Sequence, residues 1–159
     1  MAKQLWLLRH GEAVPHGSRS ADEERELTPR GERQASVAGA ALSRLGVEFA
    51  ACYTSPKVRA RDTARLACEA LGVAPVEERA LEAGFDRDAA LDLLAGHDDG
   101  ERILVVGHNP DFPQVVHDFT GARVDFKKGG IAVVSIGDGS GELLALLRPR
   151  ELESLAEPR

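Results

Sequence analysis

Three observations predict an α/β fold, a three-layer α/β/α sandwich built on a mostly parallel sheet. Short apolar runs alternate with longer segments of helical periodicity along the whole chain. Three of those runs break off abruptly into a polar or proline-containing turn, as buried strands do where a sheet opens to ligand. The last two runs, 131–136 and 142–147, are joined by Asp138-Gly139-Ser140-Gly141, which predicts an antiparallel hairpin added to the parallel strands.

In chain order, Leu5-Trp6-Leu7-Leu8 is too short for a membrane span and predicts a buried strand ending in Arg9-His10-Gly11. Residues 14–27 are polar and charged, with Pro15, Gly17 and Ser18, and predict a long loop of the kind that carries function. Thr28-Pro29 is an N-cap followed by proline at the first helical position. The helix it opens runs to about Leu45, stops at Gly46 and turns Ala35, Ala38, Leu42 and Leu45 to the sheet. Residues 49–53 form the second predicted strand. Ser55 and Pro56 then cap and open a helix through Val58, Arg59, Ala64 and Ala67 that stops at Gly72. A weak strand over 73–77, a loop over 81–86 and a helix over 89–95 come next. Residues 102–106 are dense in β-branched side chains and predict the strongest strand, and Gly107-His108-Asn109-Pro110-Asp111 turns it into a helix reaching about Thr120. A glycine-rich loop carrying Lys127 and Lys128 leads into the hairpin, and a short helix is expected over 151–155.

At 159 residues the chain is expected to form a single domain, 1–159, large enough to bury a core without disulfides or metal. A net charge of -6 argues against nucleic acid and anionic membrane as general partners, while leaving room for a local basic pocket. Cys52 and Cys68 are expected as reduced, buried thiols. With no signal-peptide pattern at the start and no long apolar stretch, a cytoplasmic location is expected. No cofactor or metal is expected: there is no His-Glu-x-x-His, no paired cysteines and no glycine-rich phosphate loop ending in Lys-Ser/Thr.

The chemistry-bearing residues sit where strands end. In an open α/β sheet, ligands bind outside the carboxyl ends of the strands, so Arg9, His10, Arg59 and His108 are expected to converge there from distant parts of the chain. Two arginine forks, two imidazoles and the positive ends of two helices together favour a dianion, and a phosphoryl group is the obvious candidate. Each residue also has a purely structural reading. Arg59 stands beside Arg61 and Arg65, and His108 could be a buried helix-capping histidine. His16, His97 and His117 carry only the structural reading, and Lys127 with Lys128 reads as a solvated pair.

Taken together, Arg9-His10-Gly11-Glu12, Leu27-Thr28-x-x-Gly31, Ser55-Pro56-x-x-Arg59-Ala60-x-x-Thr63-Ala64 and Val106-Gly107-His108-Asn109-Pro110 resemble the histidine phosphatase superfamily, in the family's order. Gly-His-Asn-Pro and the small size resemble its SixA-type phosphohistidine phosphatases. The 48 residues between Arg59 and His108 leave no room for a large cap insertion. The resemblance implies a phosphoglycerate mutase-like fold, with His10 as the nucleophile and Arg9, Arg59 and His108 holding the phosphoryl oxygens. The implied substrate is phosphohistidine on a protein. A small phosphate ester is the alternative, and a non-catalytic phosphoprotein-binding module is the reading from another class. Glu82 resembles the position of a general acid in many relatives, yet its segment also resembles the SixA-type loop, where such an acid is typically missing. A phosphohistidine P–N bond is labile enough to break without one.

Overall fold

The computed structural model describes residues 2–17, 21–138 and 140–158. Ser18 of the predicted loop and Gly139 of the predicted hairpin turn lie outside the described residues. Eleven elements follow one another: β1 (Lys3–Arg9), α1 (Pro29–Arg44), β2 (Ala51–Thr54), α2 (Val58–Leu71), β3 (Pro75–Glu77), α3 (Arg87–Leu94), β4 (Arg102–Gly107), α4 (Asp111–Thr120), β5 (Ile131–Gly137), β6 (Ser140–Leu147) and α5 (Pro149–Ala156). Two short 3-10 turns, Asp22–Glu24 and Arg79–Leu81, interrupt the loops.

The strands form one six-stranded sheet in the order β3-β2-β4-β1-β5-β6. Pairing is parallel from β3 through β2 and β4 to β1, and antiparallel from β1 through β5 to β6. The three strands whose ends were singled out in the sequence are therefore neighbours, β2-β4-β1, with all their carboxyl ends on one edge.

The alternation of side chains along β1 and β4 builds both halves of the core. Leu5, Leu7, Ile103 and Val105 face one side, where they pack with Phe112, Val115 and Val116 of α4 and with Leu94 of α3. Trp6, Leu8, Leu104 and Val106 face the other, against Ala38 and Leu42 of α1, Ala60 and Ala64 of α2 and Leu152 of α5. Each fully buried Leu or Val contributes roughly 1.5–3 kcal/mol over leaving it in water. This two-sided burial explains why the central strands read as continuous apolar runs.

Several boundaries move from the sequence expectation, each for a local reason. β2 starts at Ala51 rather than 49, because Phe49 leaves the ladder to pack its ring edge-on against Trp6, with centroids 5.5 Å apart. α2 begins at Val58, with Lys57 at the N-cap rather than Ser55; Ser55 Oγ instead accepts the Lys57 N–H at 3.2 Å. α3 starts two residues early because Asp86 caps it, its carboxylate accepting the Ala89 N–H at 2.9 Å. α5 extends over Pro149–Ala156 because Glu151 reaches back to accept the Arg148 N–H at 3.0 Å.

Candidate active site

β1 delivers Arg9 and His10 to the carboxyl edge, and the turn after them is held by a very close approach. A Cβ on Gly11 would run into the backbone of Gly31, and one on Gly31 into the carbonyl of Glu12. Only glycine lets the end of β1 and the first turn of α1 lie this close. Thr28 caps α1, its Oγ1 accepting the Gly31 N–H at 3.1 Å and donating to Glu12 Oε2 at 2.8 Å. Thr63 of α2 completes the frame: its hydroxyl accepts the Gly11 N–H at 3.1 Å and donates to the Arg59 carbonyl at 2.7 Å. One threonine thus ties the turn bearing His10 to the helix bearing Arg59.

A cavity of about 300 Å³ opens at this edge, lined by Arg9, His10, Arg59 and His108 together with Ala13, His16, Arg25, Asn109 and Lys128. The four residues singled out in the sequence converge, and three of them are buried, with His10 7%, Arg59 5% and His108 6% exposed. The two imidazoles stand 5.2 Å apart, centroid to centroid. Glu82 is not among the lining residues; it sits partly exposed at the end of the Arg79–Leu81 turn.

The hydrogen bonds assign protons. His10 Nδ1 lies 2.7 Å from the Gly11 carbonyl oxygen. A carbonyl only accepts, so Nδ1 carries the proton and Nε2 keeps its lone pair. Burial pushes the His10 pKa down to about 3 against the pull of the Gly11 hydrogen bond, and the charges of Arg59, Arg9 and Arg25 push in the same direction as burial. His108 is lowered to about 3 as well, first by burial and then by His10 and Arg59. Both rings are neutral at neutral pH. Its Nε2 lies 2.8 Å from Ser55 Oγ, so the serine at the end of β2 orients the second imidazole. Burial also lowers Arg9 and Arg59, but an arginine keeps its charge throughout the neutral range.

Among the described residues three buried side-chain nitrogens have no partner: Arg9 Nε, Arg59 Nε and His108 Nδ1. All three belong to the residues that line the cavity. A buried donor left unpaired costs roughly 1–3 kcal/mol, a cost that an oxyanion able to reach it offsets.

The sequence reading did not identify a cluster on the loop between β1 and α1. Asp22 lies between Arg25, 3.0 Å away, Lys57 at 3.2 Å, Arg59 at 3.4 Å and His16 at 3.5 Å. Its backbone carbonyl accepts Arg59 Nη1 at 2.8 Å. Arg25 is itself buried and donates to the Val14 carbonyl at 2.8 Å. Partial burial raises the Asp22 pKa, but the hydrogen bond from Lys57, the charge of Arg59 and the hydrogen bond from Arg25 outweigh it and hold the carboxyl well below its usual range. The available signal was Asp22 three residues before Arg25, just ahead of Leu27-Thr28; it was masked by the acidic run Asp22-Glu23-Glu24. His16, given only a structural reading, lines the cavity, whereas His97 pairs with the Tyr53 hydroxyl at 2.8 Å. Cys52 and Cys68 are free and buried. Among the described residues no group of three or more His, Cys, Asp or Glu side chains could hold a metal ion, and no helix is long and apolar enough to cross a membrane.

The model of the histidine phosphatase superfamily (branch 1) matches residues 5–83. A protein of uncharacterized function from Picosynechococcus sp. is 30% identical over 149 residues, covering 89% of each chain. The structure of the protein histidine phosphatase SixA complexed with tungstate superimposes with a TM-score of 0.84 at 24% identity, over 94% of this chain and 99% of that one. A structure from Nakamurella multipartitia, provisionally assigned as a phosphohistidine phosphatase SixA, gives a TM-score of 0.77 at 28% identity, over 94% and 97% of the two chains. The chain belongs to the histidine phosphatase superfamily. Within it, the small domain without a large insertion is of the SixA type, and phosphatase activity is the chemistry this membership supports.

Proposed function

We propose that the protein hydrolyses phosphohistidine on a protein substrate through a phosphohistidine formed at His10. The observation that carries this reading is the meeting of a neutral imidazole, its Nε2 lone pair available, with two arginines and a second neutral imidazole in one cavity. His10 Nε2 attacks phosphorus, and the P–N bond to the substrate imidazole breaks. The substrate ring takes a proton from solvent on its far nitrogen and leaves with the bonding pair as neutral imidazole. Water then attacks phosphorus in the His10 adduct, releases inorganic phosphate and returns His10 to its neutral form. Arg9 and Arg59 stabilise the charge on the equatorial oxygens, where fixed donors in a water-poor site act most strongly. When the Ser55 hydroxyl donates to His108 Nε2, the His108 proton sits on Nδ1, and that nitrogen joins the arginines as a donor.

The leaving group fits the site. An imidazole whose far ring nitrogen takes a proton from solvent departs neutral, whereas an alkoxide needs a positioned acid. Among the described residues no carboxylic acid lines the cavity, which favours a phosphoramidate over an alkyl phosphate.

The test is phosphate release from a phosphohistidine protein beside a panel of small phosphate esters, for wild type and His10→Ala. Wild type is expected to prefer phosphohistidine, and His10→Ala to lose at least about 10³-fold of that activity. Acid quenching of wild type during turnover should trap an acid-labile phosphoenzyme. Preference for alkyl esters, or near-normal turnover by His10→Ala, would overturn the proposal.

A further inference from the structure

A groove of about 580 Å³ adjoins the catalytic cavity, shares Arg9 and Lys128 with it, and has no part in the chemistry above. Its walls are the first turns of α1 and α5 and the turn over 127–130. Arg9, Arg30, Lys127, Lys128, Arg148 and Arg150 line it against one carboxylate, Glu12, in a chain whose net charge is -6. That carboxylate is engaged by the Thr28 hydroxyl at 2.8 Å. Lys127 and Arg148 have carboxylate partners in Asp125 and Glu151, each at 2.8 Å, and Arg150 approaches Glu151 more loosely, at 3.8 Å, while Arg30 and Lys128 are exposed.

The lysine turn is firmly placed. The Gly129 N–H is shared between the carbonyls of Arg9 and His10 at 3.0 and 3.1 Å, and the Gly130 N–H closes the turn on the Lys127 carbonyl at 2.8 Å. Gly129 has a φ of +77°, which a side chain would strain. The two lysines are thus held in fixed register with the backbone of His10, not on a free loop.

We propose that this groove docks an acidic segment of the protein substrate, so that carboxylates flanking the phosphorylated residue lie along Arg30, Lys128 and Arg150 while the phosphoryl group enters the cavity. The proposal rests on the phosphohistidine-protein reading. The groove shares Arg9 and Lys128 with the cavity, and its volume of about 580 Å³ is far more than a phosphoryl group alone would fill. Among the described residues no aromatic ring lines it, so they offer no stacking platform of the kind that single-stranded nucleic acid and nucleotides use. Long cationic side chains along an open groove match the Asp and Glu side chains of an extended polypeptide, and they raise the encounter rate of an acidic partner.

The experiment compares two fluorescent peptides that share one phosphohistidine, one flanked by Asp and Glu and the other by Ser and Gly. Affinity is read by anisotropy on the non-phosphorylated peptides, and kcat and KM on the phosphorylated ones. Wild type is expected to favour the acidic peptide about tenfold in both affinity and KM, the sum of two or three exposed ion pairs, with the preference fading in high salt. Arg30→Glu combined with Arg150→Glu should abolish that preference while leaving turnover of free phosphohistidine unchanged, and Arg30→Lys combined with Arg150→Lys should keep it. Equal binding of the two peptides by wild type, or an undiminished preference in the Glu double variant, would overturn the docking site. If wild type binds the acidic peptide selectively but cleaves no phosphohistidine, the docking site stands and the phosphohistidine reading falls.

Discussion

Two loops bring a carboxylate to the carboxyl edge of the sheet, and they differ in what surrounds it. The loop after β1 carries Asp22 into a group of four basic side chains, where it contacts the guanidinium of Arg59. The loop after β3 carries Glu82 to a partly exposed position outside the cavity lining, and that loop is pinned from the far side. Asp111 at the start of α4 accepts the N–H groups of Gly84 and Phe85 at 3.0 and 3.2 Å. The first loop is wired through side-chain charge, the second through its backbone. What this teaches is that a carboxylate close in sequence to a motif matters less than one placed among the cations the motif supplies. Asp22 is a positioning group for Arg59, whereas Glu82 has no comparable hold on the site.

The largest break in the comparison comes from removing the group at its centre. Arg59→Ala takes away both the proposed phosphoryl-oxygen donor and the partner of Asp22. It is expected to lower kcat/KM on a phosphohistidine substrate by about 10²–10³-fold, as loss of a single preorganised oxyanion donor does. Steady-state kinetics check this, and a loss under tenfold would show that Arg59 does not face the transferred group.

Acid strikes the same side of the site. His10 and His108 are held near 3 by burial, below the value of about 6.5 they have in an unfolded chain. Between those values the unfolded chain binds protons the folded protein refuses. The stability these histidines contribute is therefore fully present above about pH 6.5 and is lost as pH falls, by up to about 1.4 kcal/mol per pH unit for each. Asp22, shifted below its ordinary range, adds a further loss below its unfolded value of about 3.9. Urea unfolding from pH 7 to pH 4 is expected to show a falling midpoint, with a shallower fall in His108→Asn. Side-chain NMR should find both rings neutral down to pH 5. A ring titrating near 6.5 would contradict the assignment.

Asp22→Asn sharpens the contrast. The backbone carbonyl of residue 22 still accepts Arg59 Nη1, so the arginine is loosened rather than released. The expected result is a kcat about tenfold lower, the value of one charge-assisted hydrogen bond, with inhibition by inorganic phosphate unchanged or stronger because a competing anion is gone. A merely structural Asp22 would lower the folded fraction and leave kcat per folded molecule unaltered, so the split between kcat and phosphate affinity separates the two roles.

The unequal legibility of these loops has a physical cause. The order of elements and the site of convergence were readable because β1 and β4 are buried on both faces and β2 on one, and each ends in a residue type with few other uses there. Arg9 ends β1, His10 and His108 follow strand ends directly, and Arg59 follows Ser55-Pro56 at a fixed spacing. Asp22, Arg25 and Lys57 lie in polar segments, where charged residues are the norm, and nothing local separates a carboxylate that meets an arginine from one that meets water. Ser55 was legible only as a helix cap, since its contact with His108 joins residues 53 positions apart. Tertiary wiring through a loop leaves no period in the sequence.

The smallest expected effect is the one that decides between the loops. Glu82→Gln keeps the shape of the side chain and removes its ability to give or carry a proton. With Glu82 outside the cavity and a leaving imidazole that needs no acid, turnover of phosphohistidine is expected to change less than about twofold, and the pH profile to keep its shape. Alkyl phosphates give the sharper reading, because their leaving group makes any acid visible. If wild type shows appreciable alkyl phosphatase activity and Glu82→Gln loses it while sparing phosphohistidine, then the loop after β3 moves into the site when an ester binds. If both activities are unmoved, the carboxylate on that loop is a solvated surface group, and the work of placing charge around the phosphoryl group belongs to the loop that carries Asp22.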